Sequence, residues 1–406
     1  MLKVKFAVQS RFLLVPYISR NCRWDSCKPL PFFINPFFTE SQNRAYTSTP
    51  QPNNSANILL VDYLTNSIKL PNTEAVAISK RFPRVSSVEK PEAVVSFFKS
   101  LGFSDAQIQL SVKRQPGILF ADIEKTIKPK VAFYQELGLC GPHLGTMVSK
   151  NPFLLASSLS KTIKPGIEVI KEVLESEKSN NDNNNNFKAL MFRILSRYAF
   201  VIGKDSVLRS NIAYLRRCGV VGSQLITMLK CEPRLLSIPE EELRNLVSRA
   251  TEVGFLMGSR MLVYGILALY GNTPETIDRK SKLLRSFGFS QDESNEMFVK
   301  SPPMFKTSEA KLRRGIEFFL QTVMLDKSVL VGTPSLLDFS LEKRMIPRYK
   351  ILEMMKSRGL LEKKPSFVTV AFLTDKKFVE KYILRFGNDD AKELQLAYEN
   401  HLLQES

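Results

Sequence analysis

The side chains in this sequence best placed for chemistry are cations, and the chemistry they suit is the gripping of phosphate. Two residues ahead of a recurring proline stand Arg81, Arg114, Lys150 and Lys300. Arg197 holds the same place ahead of Ala199, and before Pro233 the cation moves one position, to Lys230. Lys80, Lys113, Arg84 and Arg234 flank several of them. A row of cations at regular intervals can follow a row of phosphates and release the counterions held there. Arg can also hold a phosphate through two parallel hydrogen bonds. The same positions suit a second role, because a cation in the last turn of a helix offsets the negative end of its macrodipole. The spacing is compatible with both.

Catalysis finds little footing. The chain has no G-x-x-x-x-G-K-[ST] loop, no G-x-G-x-x-G, no H-E-x-x-H and no G-x-S-x-G. Asp389 and Asp390 are adjacent, so on a helix they point apart and read as a solvated helix start in an acidic tail. His143 follows Gly141-Pro142 and reads as a surface residue opening a helix. Cys22, Cys27, Cys140, Cys218 and Cys231 form no C-x-x-C pair, and with His143 and His401 as the only histidines there is no zinc spacing. Free, mostly buried thiols in a reducing compartment are expected. No enzyme activity, metal or cofactor is implied.

Over 406 residues the formal charge is +18, with 44% apolar residues. Such a chain can bury a core and calls for a polyanionic partner, an acidic surface or an import route. No apolar run reaches the roughly 18 residues a membrane span needs; the best stretch is Met261–Tyr270. Residues 1–46 hold seven basic and two acidic residues, with no acid before Asp25. "MLKVKFAVQSRFLLVPYISR" spaces cations among Leu, Phe and Val as an amphipathic transit peptide does. "RAYTS", Arg44–Ser48, reads as a mitochondrial processing site; a chloroplast address is the alternative. Without residues 1–46 the remaining chain still carries 51 basic against 38 acidic residues.

The elements that must position the cations show in a repeat. "KTIKP" occurs at Lys125–Pro129 and at Lys161–Pro165, 36 residues apart. Thirteen positions before each of these prolines lies another, Pro116 and Pro152, and the same interval separates Pro334 from Pro347. An apolar doublet follows each slot: Ile118-Leu119, Leu154-Leu155, Leu235-Leu236, Met304-Phe305, Leu336-Leu337. Pro83 fits weakly, and Ala199 with Val201-Ile202 fills the slot without its proline. The slots lie 33, 36, 47, 34, 69 and 32 residues apart. The longest gap spans two periods and predicts a unit without proline near Ala268; the gap of 47 holds the asparagine run Asn180–Asn186. A glycine between apolar residues closes each unit, as in Leu101-Gly102-Phe103 and Leu137-Gly138-Leu139.

Stretches such as "PEAVVSFFKSLGF" carry apolar residues at the spacing of an amphipathic helix. Proline suits the first turn of such a helix and glycine its end. The earlier proline of each unit stops another helix. Neither helix can bury its apolar face alone, so the units must stack. No segment shows sustained strand alternation. The fold expected is all-α.

At this point the residues resemble a known family. "KPEAVVSFFKSLGFSDAQIQLSVKRQPGILFADIEKTIKPKVAFYQELGL" and "VSKNPFLLASSLSKTIKPGIEVIKEVL" closely resemble the plant mTERF (mitochondrial transcription termination factor) family, from about Asn57 to about Asn388. The resemblance implies a curved, right-handed-type α-solenoid of about nine repeats of roughly 34 residues. It also implies an organelle factor that binds double-stranded DNA or structured RNA, acting in transcription, its termination or intron splicing. Organelle transcription or splicing proteins would be its further partners, with no membrane and a monomeric state. A protein-binding scaffold is the alternative. The layout expected is a transit peptide at 1–46, a linker at 47–56, the repeats at 57–388 with an exposed insertion at 179–187, and an acidic tail at 389–406. The candidate binding residues are Arg81, Arg114, Lys150, Arg197, Lys230, Lys300, Lys113 and Arg234. Lys125, Lys128, Lys161, Lys164, Arg216-Arg217, Arg313-Arg314 and Lys343-Arg344 are runners-up.

Overall fold

The computed structural model describes residues 56–175, 183–361, 363 and 365–403. The transit peptide expected at 1–46, and all but the last residue of the linker, lie outside them. Among the described residues every regular element is a helix or a helical turn, and no strand is present. No described helix is long and apolar enough to cross a membrane. The chain forms two compact bodies. One holds the described residues up to Leu215 together with Val221–Glu240; the other holds Arg216–Val220 and the described residues from Glu241 onward.

Within each body the unit has a finer grain than helix, break, helix. The helix Asp105–Arg114 ends, Gln115 leaves helical geometry, and Pro116 opens a short 3-10 turn, Pro116–Phe120. The doublet Ile118-Leu119 is buried in that turn. The turns Pro233–Ser237, Pro302–Lys306 and Pro334–Asp338 repeat the arrangement. At Ala199 the turn Ala199–Lys204 persists without a proline. Near Ala268 it does not: the helix Arg260–Tyr270 runs straight through the slot, and the next begins at Pro274 behind the Thr273 cap.

KTIKP is the other joint of the unit. A proline inside a helix removes one N–H and presses its ring against the carbonyl four residues back. Ahead of Pro129, Pro165 and Pro347 the backbone responds by widening into one π turn, at Ile123–Ile127, Leu159–Ile163 and Leu341–Met345. The N–H of Ile127 accordingly reaches back five residues to Asp122 O, at 3.1 Å. Side-chain oxygens of Asp122, Ser158 and Ser340 cap these turns by accepting from Lys125, Lys161 and Lys343 N–H. The helix that holds Pro129, Lys128–Glu136, ends at its expected glycine. Gly138 takes φ +81°, and Leu139 N–H closes on Tyr134 O at 3.0 Å.

Neighbouring units are joined by buried donors. The last carbonyls of a helical turn have no partner within it, and a buried orphan carbonyl costs about 1–3 kcal/mol. Lys130 Nζ donates to Leu155 O, in the doublet of the next unit, and Tyr134 Oη donates to Leu154 O at 3.0 Å. Asn211 Nδ2 donates to Leu236 O and Ile238 O at 3.0 and 2.8 Å, and Lys280 Nζ donates to Phe305 O. Arg348, fully buried, donates to Val370 O, Ala371 O and Leu373 O. The position of Lys130 in its unit is taken by Gly166 in the next. There any Cβ would sit 2.0 Å from Ile202 O, so backbone meets backbone.

The asparagine run was expected to be an exposed loop. The helix Asn183–Arg197 takes in Asn183–Asn186, and residues 176–182 lie outside the described ones. The cysteines are free, but of those described only Cys218 is buried, while Cys140 is exposed and Cys231 lies between.

Burial lowers the Lys130 ammonium from its ordinary 10.5 to about 8. Between those values the unfolded chain holds a proton that the folded chain has released, so this residue makes stability rise with pH across that window. Above pH 10 the buried Tyr134, whose phenol is raised by desolvation, opposes it. Urea unfolding between pH 8 and pH 10 should therefore show a rising midpoint that rises less in Lys130→Met; equal rises in the two proteins would show that Lys130 does not carry the effect.

Candidate nucleic-acid interface

The cations of the predicted row occupy one register position, the last turn of a first helix. Arg114, Lys150 and Arg197 are the final residues of Asp105–Arg114, Pro142–Lys150 and Asn183–Arg197, and these three helices pack in succession in the first body. Lys230 ends the same body's series one residue before the close of Ser223–Cys231. Lys300 closes Gln291–Lys300 in the second body. Arg81 lies just past Asn72–Ser79, with its guanidinium 6.0 Å from the Phe82 ring.

Their surroundings divide them. Arg114 donates to Ser149 O at 3.5 Å and to Lys150 O, so it caps the carbonyl end of the next first helix. Lys300 does the same for Val331 O at 3.1 Å while pairing with Glu296 at 2.5 Å. Asn151 donates to Leu195 O and Ser196 O at 3.0 and 2.7 Å, a third cap of this kind. Capping is therefore real, but it acts on the neighbouring unit's helix rather than on the cation's own. Lys113 is paired with Glu74, and Arg234 with Glu232 at 2.6 Å beneath the Tyr198 ring. Lys150, Arg197 and Lys230 are exposed and have no ion-pair partner among the described residues.

The runners-up are mostly occupied. Lys128 pairs with Glu124 and lies over Phe97, Lys164 lies over Phe133, and Arg313 over Phe287. Arg314 pairs with Glu342 at 2.7 Å. Arg344 donates to Ala371 O and Leu373 O. No cluster of three or more metal-ligating side chains exists among the described residues. His143 opens its helix as expected and packs edge-on against Phe192. Beside Lys300, Ser301 Oγ donates to Asp338 at 2.6 Å, and burial pushes that carboxyl up to about 7. Sequence reasoning passed over Asp338 because nothing marks an isolated Asp as buried.

Stacked helical units, several with a cation in the last turn of the first helix, define the class of all-α, helical-repeat proteins. The chain belongs to the mTERF family, whose pattern matches residues 95–188 and 260–379, more than half of its length. A chloroplastic transcription termination factor of Arabidopsis thaliana, MTERF8, is 24% identical over 277 residues, which cover 67% of this chain and 52% of that protein. The chain thus matches about half the length of this relative.

Adjacent residues here should behave oppositely. Asn151→Ala strips two carbonyls of a part-buried donor and should cost about 1–3 kcal/mol, whereas Lys150→Gln should stay within about 0.5 kcal/mol of the parent. Arg114→Gln should fall between them. Thermal unfolding of the three variants checks this ordering, and a Lys150→Gln loss matching that of Asn151→Ala would show that Lys150 is structural.

Proposed function

We propose that this chain is a nucleic-acid-binding factor of organelle gene expression. In this reading it holds double-stranded DNA or structured RNA through phosphates and acts in transcription, its termination or intron splicing, without catalysis. The observation that carries the reading is the set Lys150, Arg197 and Lys230, in the last turns of the first helices of successive units, exposed and without an ion-pair partner among the described residues. The excess of 51 basic over 38 acidic residues outside 1–46 supports it. The termination role named for the Arabidopsis relative supports the transcriptional branch. Arg81 and Arg114 extend the row as contacts that also serve the fold, and Lys300 stands at the same position of a unit in the second body. Lys113 and Arg234 would have to exchange a carboxylate for a phosphate and contribute less. Phosphate contacts set register without reading sequence, so specificity comes from other residues or from nucleic-acid shape.

The test is the salt dependence of duplex binding. Replacing Lys150, Arg197 and Lys230 together by Gln should weaken binding to all sequences alike. It should also make the slope of log affinity against log salt shallower by about 2 to 2.7, the share of three phosphate contacts. Thermal stability should hardly change. An unaltered slope would remove these residues from the interface, and salt-independent binding by the parent protein would favour the scaffold alternative.

The organelle address rests on residues 1–46. The Arg44–Ser48 site reads as mitochondrial, and the relative's name carries a chloroplast address. Incubating the full chain with isolated mitochondria and with isolated chloroplasts should give a protease-protected product, in one of them, beginning near residue 47. A protected product still starting at Met1 refutes the transit peptide.

A further inference from the structure

Near its C-terminal end, before the last helix Asn388–Leu403, the second body carries a short basic helix. The helix Asp375–Tyr382 starts at the Thr374 cap, and Lys377, Lys381 and Arg385 follow one another at four-residue intervals along it and its exit turn. This spacing places the first two on one helical face and continues the row past the helix end. All three are exposed, and none has an ion-pair partner among the described residues. The nearby acids are engaged elsewhere. Asp375 is bound at 2.5 Å by the fully buried Arg348, and Glu380 leans to Lys376 at 3.9 Å.

The row is also held in place. Phe378 and Tyr382, each one residue and so about 100° round the helix from Lys377 and Lys381, are buried. Beneath them Arg348 lies 5.0 Å from the Phe378 ring and ties Val370, Ala371, Leu373 and Asp375 together. Lys381 is drawn over the Tyr382 ring at 5.6 Å, and Arg385 over Phe386 at 4.7 Å. Aromatic contacts of this kind restrict two long side chains and so reduce the entropy lost when they bind. Exposed Leu384 sits between them.

We propose that Lys377, Lys381 and Arg385 form a second phosphate-binding edge, made of other residues than the first-helix row, which engages a nucleic-acid backbone. The proposal rests on the nucleic-acid reading above. A backbone polyanion matches the row better than an acidic peptide would. Spaced, fixed cations suit repeated phosphates, whereas a peptide would also need partners for its amides.

The experiment uses the full chain and two mixed-sequence probes, a DNA duplex and the matching RNA duplex, titrated between about 50 and 200 mM salt. Lys377→Gln, Lys381→Gln and Arg385→Gln combined should weaken binding to at least one probe and make its salt slope shallower by about 2 to 2.7. The charge-preserving variant Lys377→Arg, Lys381→Arg should keep the parent slope and shows that charge, not packing, is read. If the parent binds with a steep slope that the Lys150, Arg197 and Lys230 substitutions reduce, but the C-terminal Gln variant leaves it unchanged, this edge is not a phosphate site while the nucleic-acid reading stands. If the parent shows no salt-dependent binding, both fall together.

Discussion

The stacking of this chain depends on what becomes of carbonyl groups at the ends of short helices. A unit built from a helix, a 3-10 turn, a π turn and a second helix creates several carbonyl ends within about 35 residues. Many of those ends lie within or beside the stack, and several are met by a donor from the adjacent unit. Lys130, Asn211, Lys280 and Arg348 serve the apolar doublets, and Arg114, Asn151 and Lys300 serve the first helices. Lys327 serves Gly288 O. Apolar burial supplies most of the cohesion between units, and the donors fix their register, because a slipped unit would leave both donor and carbonyl buried and alone.

This requirement accounts for part of the basic composition. A lysine or arginine that crosses to a neighbouring carbonyl satisfies the fold, so net positive charge does not by itself measure a binding surface. Arg114 and Lys300 illustrate the point, since each stands at the predicted register and each is turned toward a helix end. The charge left over belongs to Lys150, Arg197 and Lys230, which have no ion-pair partner among the described residues. Residues that cap a neighbouring helix and residues left without a partner thus share one region of the unit, divided residue by residue.

Proline acts at both joints by opposite means. At Pro116 it begins a turn after a helix has ended; at Pro129 it sits two residues into a helix whose preceding turn has widened to admit it. The unit at Ala268 shows what happens without the first proline: the helix Arg260–Tyr270 continues through the slot. The unit at Ala199 shows that proline is not the only means, since its turn survives with Val201 and Ile202 buried in place of a proline-led doublet.

The sequence by itself determined the helical class, the period and the break points, because proline, glycine and apolar spacing act locally and leave their mark wherever they occur. It also located the register at which cations recur. It could not separate Lys150 from Arg114, since both are cations two residues before a proline and differ only in what lies beside them in the next unit. Nor could it expose Lys130, Asn211 or Arg348 as buried donors, because a polar residue in a helix looks solvated until a carbonyl some 25 residues away is folded against it. The π turns stayed hidden for a related reason: KTIKP reads as the start of a helix, and only the ring of Pro129 packed against the turn before it decides that the turn must open. Whether a side chain is spent on the fold or left for a ligand is a property of neighbours distant in the chain, and only tertiary structure brings them together.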